Sequence, residues 1–308
     1  MRLLLFGCTG FIGKALIPSL LKAGHELTVI TRKERNQIRK NSQKGITYIT
    51  IDPSLTINWT NTSLLNAVSK VEGIINLAGE PIAEKRWSIT HRELIKDSRL
   101  NTTSQLIKSI KKLKNPPKIL ISGSAIGFYG TSQNKEFTEE SSFGEDFLAK
   151  LCKEWETLAN DKPKNTRLVI LRIGIVLGKD GGALGKMLPI FKAGLGGPIG
   201  SGSQWMSWIH INDICNLIEN SLSNKSYSGV INAVAPNPVR MNDFARCIGR
   251  CIDRPSLIAV PGPILKIILG DGAKVVLEGQ KVVSRKIQNL KYDFKYKTIK
   301  DALEAELK

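Results

Sequence analysis

The first turn of this chain constrains its fold more than any other stretch. Arg2-Leu3-Leu4-Leu5-Phe6 is a short apolar run that stops at Gly7, and Gly7-Cys8-Thr9-Gly10-Phe11-Ile12-Gly13 leads directly into Lys14-Ala15-Leu16-Ile17. The run reads as a buried strand and the segment after the last glycine as a helix. The G-x-x-G-x-x-G spacing gives each glycine a task. The first permits the tight turn, the second lets a pyrophosphate approach the backbone, and the third lets helix pack on strand. An anion held there would lie at the helix N-terminus, where unpaired N–H groups and the helix dipole favour negative charge.

The next elements repeat the unit. Residues 25–31 form a second strand candidate, followed at once by Arg32, Lys33 and Arg35. In a dinucleotide fold this position meets the adenosine ribose, where an acid would bind a 2′-hydroxyl and an arginine a 2′-phosphate. Thr31-Arg32-Lys33 therefore favours NADP over NAD, with a solvated charged loop as the bland alternative. Residues 46–51 alternate as a third strand that closes at Asp52-Pro53, and Asp52 joins the cofactor set. A helix over 63–70 precedes a fourth strand over 73–79, whose end, Leu77-Ala78-Gly79 with Glu80 after it, is small enough to admit a nicotinamide riboside. A helix over 88–114 and a strand over 118–124 continue the alternation, which predicts a Rossmann-type α/β fold with a doubly wound parallel sheet.

Beyond this, the pattern predicts a helix over 146–160, a strand over 167–173, a strand over 229–234 and helices over 242–250 and 299–307. The glycine-rich passage 178–202, with a short apolar helix at 183–191, reads as a mobile substrate loop. The expected division is a cofactor domain over 1–178, to which 203–235 return, and a smaller C-terminal substrate-binding lobe made of 179–202 and 236–308.

Composition narrows the function. The formal net charge of +18 is spread over the chain without a zinc-finger, helix-turn-helix or aromatic RNA-binding signature, so a nucleic-acid partner is not expected. Five cysteines, an odd number without a C-x-x-C pair, and three histidines indicate neither a disulfide framework nor a metal site. No run approaches the roughly 20 apolar residues of a membrane span. The expectation is a cytoplasmic protein with a small-molecule substrate and no membrane partner.

Five blocks in order carry a family resemblance: the glycine turn, Asn76-Leu77-Ala78-Gly79-Glu80, Ser122-Gly123-Ser124-Ala125-Ile126-Gly127-Phe128-Tyr129-Gly130, Leu171-Arg172-Ile173-Gly174, and Trp208-Ile209-His210-Ile211-Asn212-Asp213. The chain resembles the extended or atypical short-chain dehydrogenase/reductases, in the epimerase/dehydratase-like branch that carries an extra C-terminal region. The resemblance implies NADP held by Gly7, Thr9, Gly10, Phe11, Ile12 and Gly13 in the turn. It adds Thr31, Arg32, Lys33, Arg35 and Asp52 around the adenosine, and Leu77, Ala78, Gly79 and Glu80 nearer the nicotinamide.

The family's chemistry needs a tyrosine and a lysine four residues apart on one helix, with a serine that hydrogen-bonds the substrate oxygen. Ser124 matches that serine. Lys153 is the best match to the lysine, which puts Ala149 where the tyrosine belongs. Tyr129 is the candidate surrogate acid or base, with pocket lining or packing as its alternative. Arg172, Trp208 and His210 are candidates for substrate contact, with structural roles as theirs. The implied function is an NADP-dependent oxidoreductase or epimerase-like enzyme acting on a small hydroxyl or keto compound, a nucleotide sugar included. The alternative is an NADP-binding regulatory or assembly protein whose catalysis is impaired.

Overall fold

In the computed structural model, which describes residues 1–33 and 44–308, the strands in chain order begin with β1 (Arg2–Phe6), β2 (Glu26–Thr31), β3 (Ile46–Thr50), β4 (Gly73–Asn76) and β5 (Ile119–Ala125). They continue with β6 (Glu136–Phe137), β7 (Arg167–Ile173), β8 (Ile175–Gly178) and β9 (Trp205–Met206). The last are β10 (Trp208–His210), β11 (Gly229–Ala233), β12 (Val239–Arg240) and β13 (Lys281–Val282). Seven of these make one sheet among the described residues, in the order β11-β7-β5-β4-β1-β2-β3. Every pairing in it is parallel. The chain winds outward from β1 to β3, then restarts at β4 on the other side of β1 and winds to β11. The carboxyl ends of β1 and β4 therefore flank the crevice where such sheets bind ligands.

A strand covered on both faces must be apolar on both, and β1 is. Leu3 and Leu5 face a layer formed by α1 (Phe11–Lys22) together with the helix Ile211–Ser223, while Leu4 and Phe6 face the opposite layer. That second layer holds α2 (Thr62–Lys70), capped by Asn61, whose side chain accepts from Leu64 N at 3.1 Å. It also holds α3 (Ile89–Lys111) and α4 (Phe147–Asn160), capped by Asp146 accepting from Ala149 N at 2.9 Å.

The passage 178–202 is more ordered than a loop. It contains α5 (Gly182–Lys192), and Ile211–Ser223 follows as α6. Leu184 and Phe191 of α5 enter a separate core with Trp208, with Phe244 and Ile248 of α7 (Met241–Cys251), and with Leu303 near the C-terminus. Short pairings tie this lobe down: β8 with β10, β9 with β12, and β6 with β13. The C-terminal stretch does not stay wholly with the lobe, as the expected division had it. After α8 (Gly262–Leu269) and α9 (Lys274–Leu277), Ile287 of α10 (Arg285–Asn289) and Phe294 pack into the main core, and α11 (Ile299–Leu307) then returns to the lobe.

The opening turn is built on contact. Gly7 has a φ of 73° and lies so close to β4 that a Cβ would come 2.4 Å from the Leu77 carbonyl oxygen. Gly13 is pressed onto the strand-to-helix turn, with a virtual Cβ only 2.1 Å from the Cys8 Cα. Both neighbours are backbone, so neither can move aside cheaply. Gly13→Ala should lower stability in urea denaturation by about 2–3 kcal/mol, as overpacking of a rigid site does. Gly10→Ala, whose methyl group would meet the Gly7 carbonyl oxygen at 3.3 Å, should cost less than about 1 kcal/mol.

Candidate functional site

The helix α1 starts at Phe11 with Gly10 as its cap residue, and no side chain satisfies its first N–H groups. Its first helical bond runs from Lys14 N to Gly10 O at 2.9 Å, so the N–H groups of Phe11, Ile12 and Gly13 have no acceptor one turn back. Gly10 is exposed and its Cβ position is nearly open. The turn is thus tight at Gly7 and Gly13 and open at Gly10, which is the shape an approaching pyrophosphate needs. Phe11 does a different job: its ring lies 2.6 Å from the virtual Cβ of Gly181, and so clamps the turn to the start of α5.

The turn opens into a cavity of about 760 Å³. Ile12, Leu77, Ala78 and Gly79 line its cofactor side, Ser124 and its neighbours its floor, and Ile173, Gly174 and Val176 a further wall. Residues from α4 and from the stretch 271–280 complete it. Ser124 is buried, and its Oγ donates to Glu156 Oε1 at 2.6 Å, which leaves the hydroxyl oxygen as an acceptor toward a ligand.

The face of α4 that meets the cavity is one residue away from the expected register. Phe147, Leu148, Leu151, Cys152 and Trp155 line it, whereas Lys153 is exposed, with its Nζ 5.6 Å from the Phe143 ring. Ala149 is fully buried in the helix's packing. Three i, i+4 pairs face the cavity, Phe147 with Leu151, Leu148 with Cys152 and Leu151 with Trp155, and none supplies a phenol or an ammonium. Cys152 lies beside Ser124 and the Ala125 N–H, and burial, with Glu156 adding to it, pushes its thiol up to about 11. It stays protonated at neutral pH.

Tyr129 does not reach the cavity. It lies 3% exposed in the turn after β5, stacked 5.2 Å from Phe137, and its hydroxyl donates to Asn232 Oδ1 at 2.6 Å while accepting from Arg172 Nη1 at 2.8 Å. Burial raises its pKa more than Arg172 lowers it, so no phenolate forms near neutral pH. Arg172 is equally committed. It forks onto Glu156, Nε to Oε1 and Nη2 to Oε2 both at 2.8 Å, and its guanidinium lies 3.4 Å from the Phe128 ring centroid. Burial alone would pull Arg172 down, but the Glu156 bonds and charge outweigh it. Arg172 and Tyr129 thus support the floor from beneath.

Two further candidates also prove structural. Trp208 is wholly buried in the lobe core, its indole N–H on the Asn237 carbonyl oxygen at 2.9 Å. His210 is wholly buried too, accepting from Asn212 N at 3.1 Å as the cap of α6, with its other nitrogen 3.0 Å from Glu306.

Around the adenosine side, Arg32 and Lys33 are exposed after β2. Arg32 Nη2 lies 3.4 Å from Glu80 Oε2, Thr31 Oγ1 accepts from Lys33 N at 3.1 Å, and Asp52 braces its own turn by accepting from Ser54 N at 2.9 Å. An exposed pair such as Arg32–Glu80 is worth little and yields readily to a phosphate. Arg35 lies outside the described residues.

Several cavity residues escaped the sequence reading. Arg99 bonds the Ile95 and Glu80 carbonyl oxygens at 2.9 and 3.1 Å, and its guanidinium fills the space against Gly79. Its position midway between the buried Ile95 and Thr103 on one helical stripe was a legible sign. The stripe Leu148, Leu151, Cys152, Trp155 likewise marked the inward face of α4. Trp87 and the stretch 271–280 gave no such sign, because only the tertiary fold brings them to the cavity; Trp205, beside Trp208 after the glycine-rich passage, could be read as a stacking wall or as core, and it lines the cavity. Because removing one member of a buried pair strands the other charge, Arg172→Met should lower stability by about 3–5 kcal/mol in denaturant titration. The double replacement with Glu156→Leu should cost less than the two single changes added together.

Comparison with known proteins agrees with this geometry. Residues 3–233 match the NAD dependent epimerase/dehydratase family, and residues 260–306 a domain of unknown function, DUF1731. An Arabidopsis thaliana relative, epimerase family protein SDR39U1 homolog, chloroplastic, is 44% identical over 301 residues, which is 97% of this chain and 84% of that protein. The mouse epimerase family protein SDR39U1 is 37% identical over 307 residues, covering 98% of each. A crystal structure of human SDR39U1 with NADPH superposes with a TM-score of 0.88 at 35% identity, over 100% of this chain and 99% of that one. A Bacillus cereus UDP-glucuronic acid 4-epimerase shares the fold, with a TM-score of 0.79 at 20% identity over 100% of this chain and 98% of that one. The tight-open-tight glycine turn, the switch point beside it and these matches agree: the chain belongs to the NAD dependent epimerase/dehydratase family.

Proposed function

We propose that this protein is an NADPH-dependent oxidoreductase that binds a small hydroxyl- or keto-bearing compound beside Ser124. The observation that carries the reading is that Ile12 of the glycine turn and Ser124 of β5 open into one cavity. Cofactor and substrate can therefore meet. Gly10, the free N–H groups of α1 and Gly79 would hold the dinucleotide, and Arg32 and Lys33 its 2′-phosphate. The human relative crystallised with NADPH supports that preference. When bound, NADPH supplies hydride.

The chain's own contribution is orientation and exclusion of water. Ser124, its proton held by Glu156, accepts from a substrate hydroxyl. The apolar face of α4 keeps the reacting carbon dry. A second reading, a cofactor-binding protein without turnover, draws on Leu148 and Cys152 at the positions where the tyrosine and lysine would project.

Isothermal titration separates cofactors. NADPH should bind at least about tenfold more tightly than NADH, and Arg32→Ala should remove most of that difference while leaving NADH unchanged, since a charge-assisted phosphate contact is lost. A wild-type preference for NADH sinks the 2′-phosphate assignment. Ser124→Ala should then lower NADP⁺-dependent turnover on a panel of alcohols by about tenfold, since the substrate hydroxyl loses its acceptor, without weakening NADPH binding. Tight NADPH binding with no turnover on any panel member would establish the second reading instead.

A further inference from the structure

We propose that the substrate taken by this cavity is a planar quinone-type carbonyl compound rather than a nucleotide sugar or an isolated ketone; the proposal rests on the NADPH reading above. Two independent features carry it. The first is the lining. Trp87, Trp155, Trp205 and Phe147 all contribute to the wall. Each indole N–H is already spent: Trp87 on the Ile82 carbonyl oxygen at 2.8 Å, Trp155 on Thr103 Oγ1 at 2.8 Å and Trp205 on the Gln133 carbonyl oxygen at 2.9 Å. The rings therefore offer flat apolar surface and no free donor, which suits a planar conjugated ring.

Most charged lining groups carry partners within the wall, although the Arg92–Asp271 pair is solvent-exposed and Arg92 Nε has none. Arg92 pairs with Asp271, and its guanidinium lies 5.7 Å from the ring centroids of Trp87 and Phe147. Glu278 accepts from Thr131 Oγ1 at 2.9 Å, Asp146 caps α4, and Arg99 is held by two carbonyl oxygens. A nucleoside diphosphate needs several cations and a sugar a partner for each hydroxyl, whereas the aromatic wall offers neither. Lys274, exposed at the rim, and Arg92, whose pair with Asp271 is solvent-exposed, are available to an acidic substituent.

The second feature is the missing acid. Hydride addition to an isolated ketone generates an alkoxide, which must be protonated as it forms, and that is the work of a positioned phenol. Here Leu148 stands at the inward position on α4, and Tyr129 is sealed beneath the floor by Asn232 and Arg172. A quinone does not need such an acid. It takes up hydride, with its electron pair, from NADPH, which becomes NADP⁺. The product is a hydroquinone monoanion, a phenolate whose conjugate acid has a pKa near about 10, as for tyrosine. Bulk water supplies the second hydrogen as a proton once the hydroquinone anion leaves the cavity, so two electrons and two protons are accounted for.

The test uses the full chain and begins with NADPH titrated alone, because failure there overturns the cofactor reading and this proposal together. With NADPH bound, menadione is the probe. Calorimetry on the NADP⁺-loaded protein should show menadione binding and no binding of UDP-glucuronic acid. Absorbance of NADPH should fall by one equivalent per menadione reduced, and at least about 100-fold more slowly with cyclohexanone, whose developing alkoxide meets no positioned phenol. Trp87→Leu and Trp205→Leu should each weaken menadione binding by about tenfold and leave NADP⁺ affinity unchanged, as loss of a stacking face predicts. Protein that binds NADPH yet neither binds nor reduces menadione overturns the proposal alone, as does reduction of cyclohexanone at a comparable rate.

Discussion

The buried pair between Glu156 and Arg172 is the interaction on which this site depends. It fastens α4 to β7 across the carboxyl end of β5, with side chains 7% and 5% exposed. Two charges out of water are tolerable only when every remaining donor and acceptor finds a partner. The pair meets that demand by recruiting its surroundings. Ser124 gives its proton to Glu156, Tyr129 accepts from Arg172, and Asn232 of β11 accepts from Tyr129. Glu139 extends the chain by accepting from Asn232 N and Ser284 Oγ, so the C-terminal stretch hangs from the same network. The orientation of the one polar group on the cavity floor is set from below.

This arrangement separates support from chemistry. Tyr129, the candidate acid or base, and Arg172 and His210, the candidates for substrate contact, are spent on holding the floor and the lobe together. Around Ser124 the cavity is lined by aromatic and aliphatic surface and by a thiol that burial keeps protonated, with charged groups such as Arg92 and Glu278 beyond them. Where the tyrosine and lysine were expected, α4 presents apolar side chains and a thiol, and the proposed substrate rests on that exchange.

Much of the fold was legible in local pattern. The strand Arg167–Ile173 and the helix Ile299–Leu307 fall where apolar periodicity put them, and the other main-sheet strands lie within a few residues of it. The short pairings of β6 with β13 and β8 with β10 were not legible. Two to four residues carry too little periodicity, and their partners lie far away in sequence. The α4 register failed for a different reason. Lys153 was chosen by its type, whereas the apolar stripe through Leu148, Leu151, Cys152 and Trp155 gave the inward face directly.

The sequence by itself determined the glycine turn, the parallel sheet that follows from it, and the basic residues that follow β2, because these depend on neighbours within a few positions. Tertiary structure decided which polar residues meet the ligand. Charge and hydrogen-bonding capacity are properties of a residue, but whether they are free depends on partners from distant strands, and Arg172 and Tyr129 find theirs in Glu156 and Asn232. The cavity's aromatic wall was decided the same way, since Trp87 and Trp205 come from segments more than a hundred residues apart and join only when the lobe packs beside the sheet.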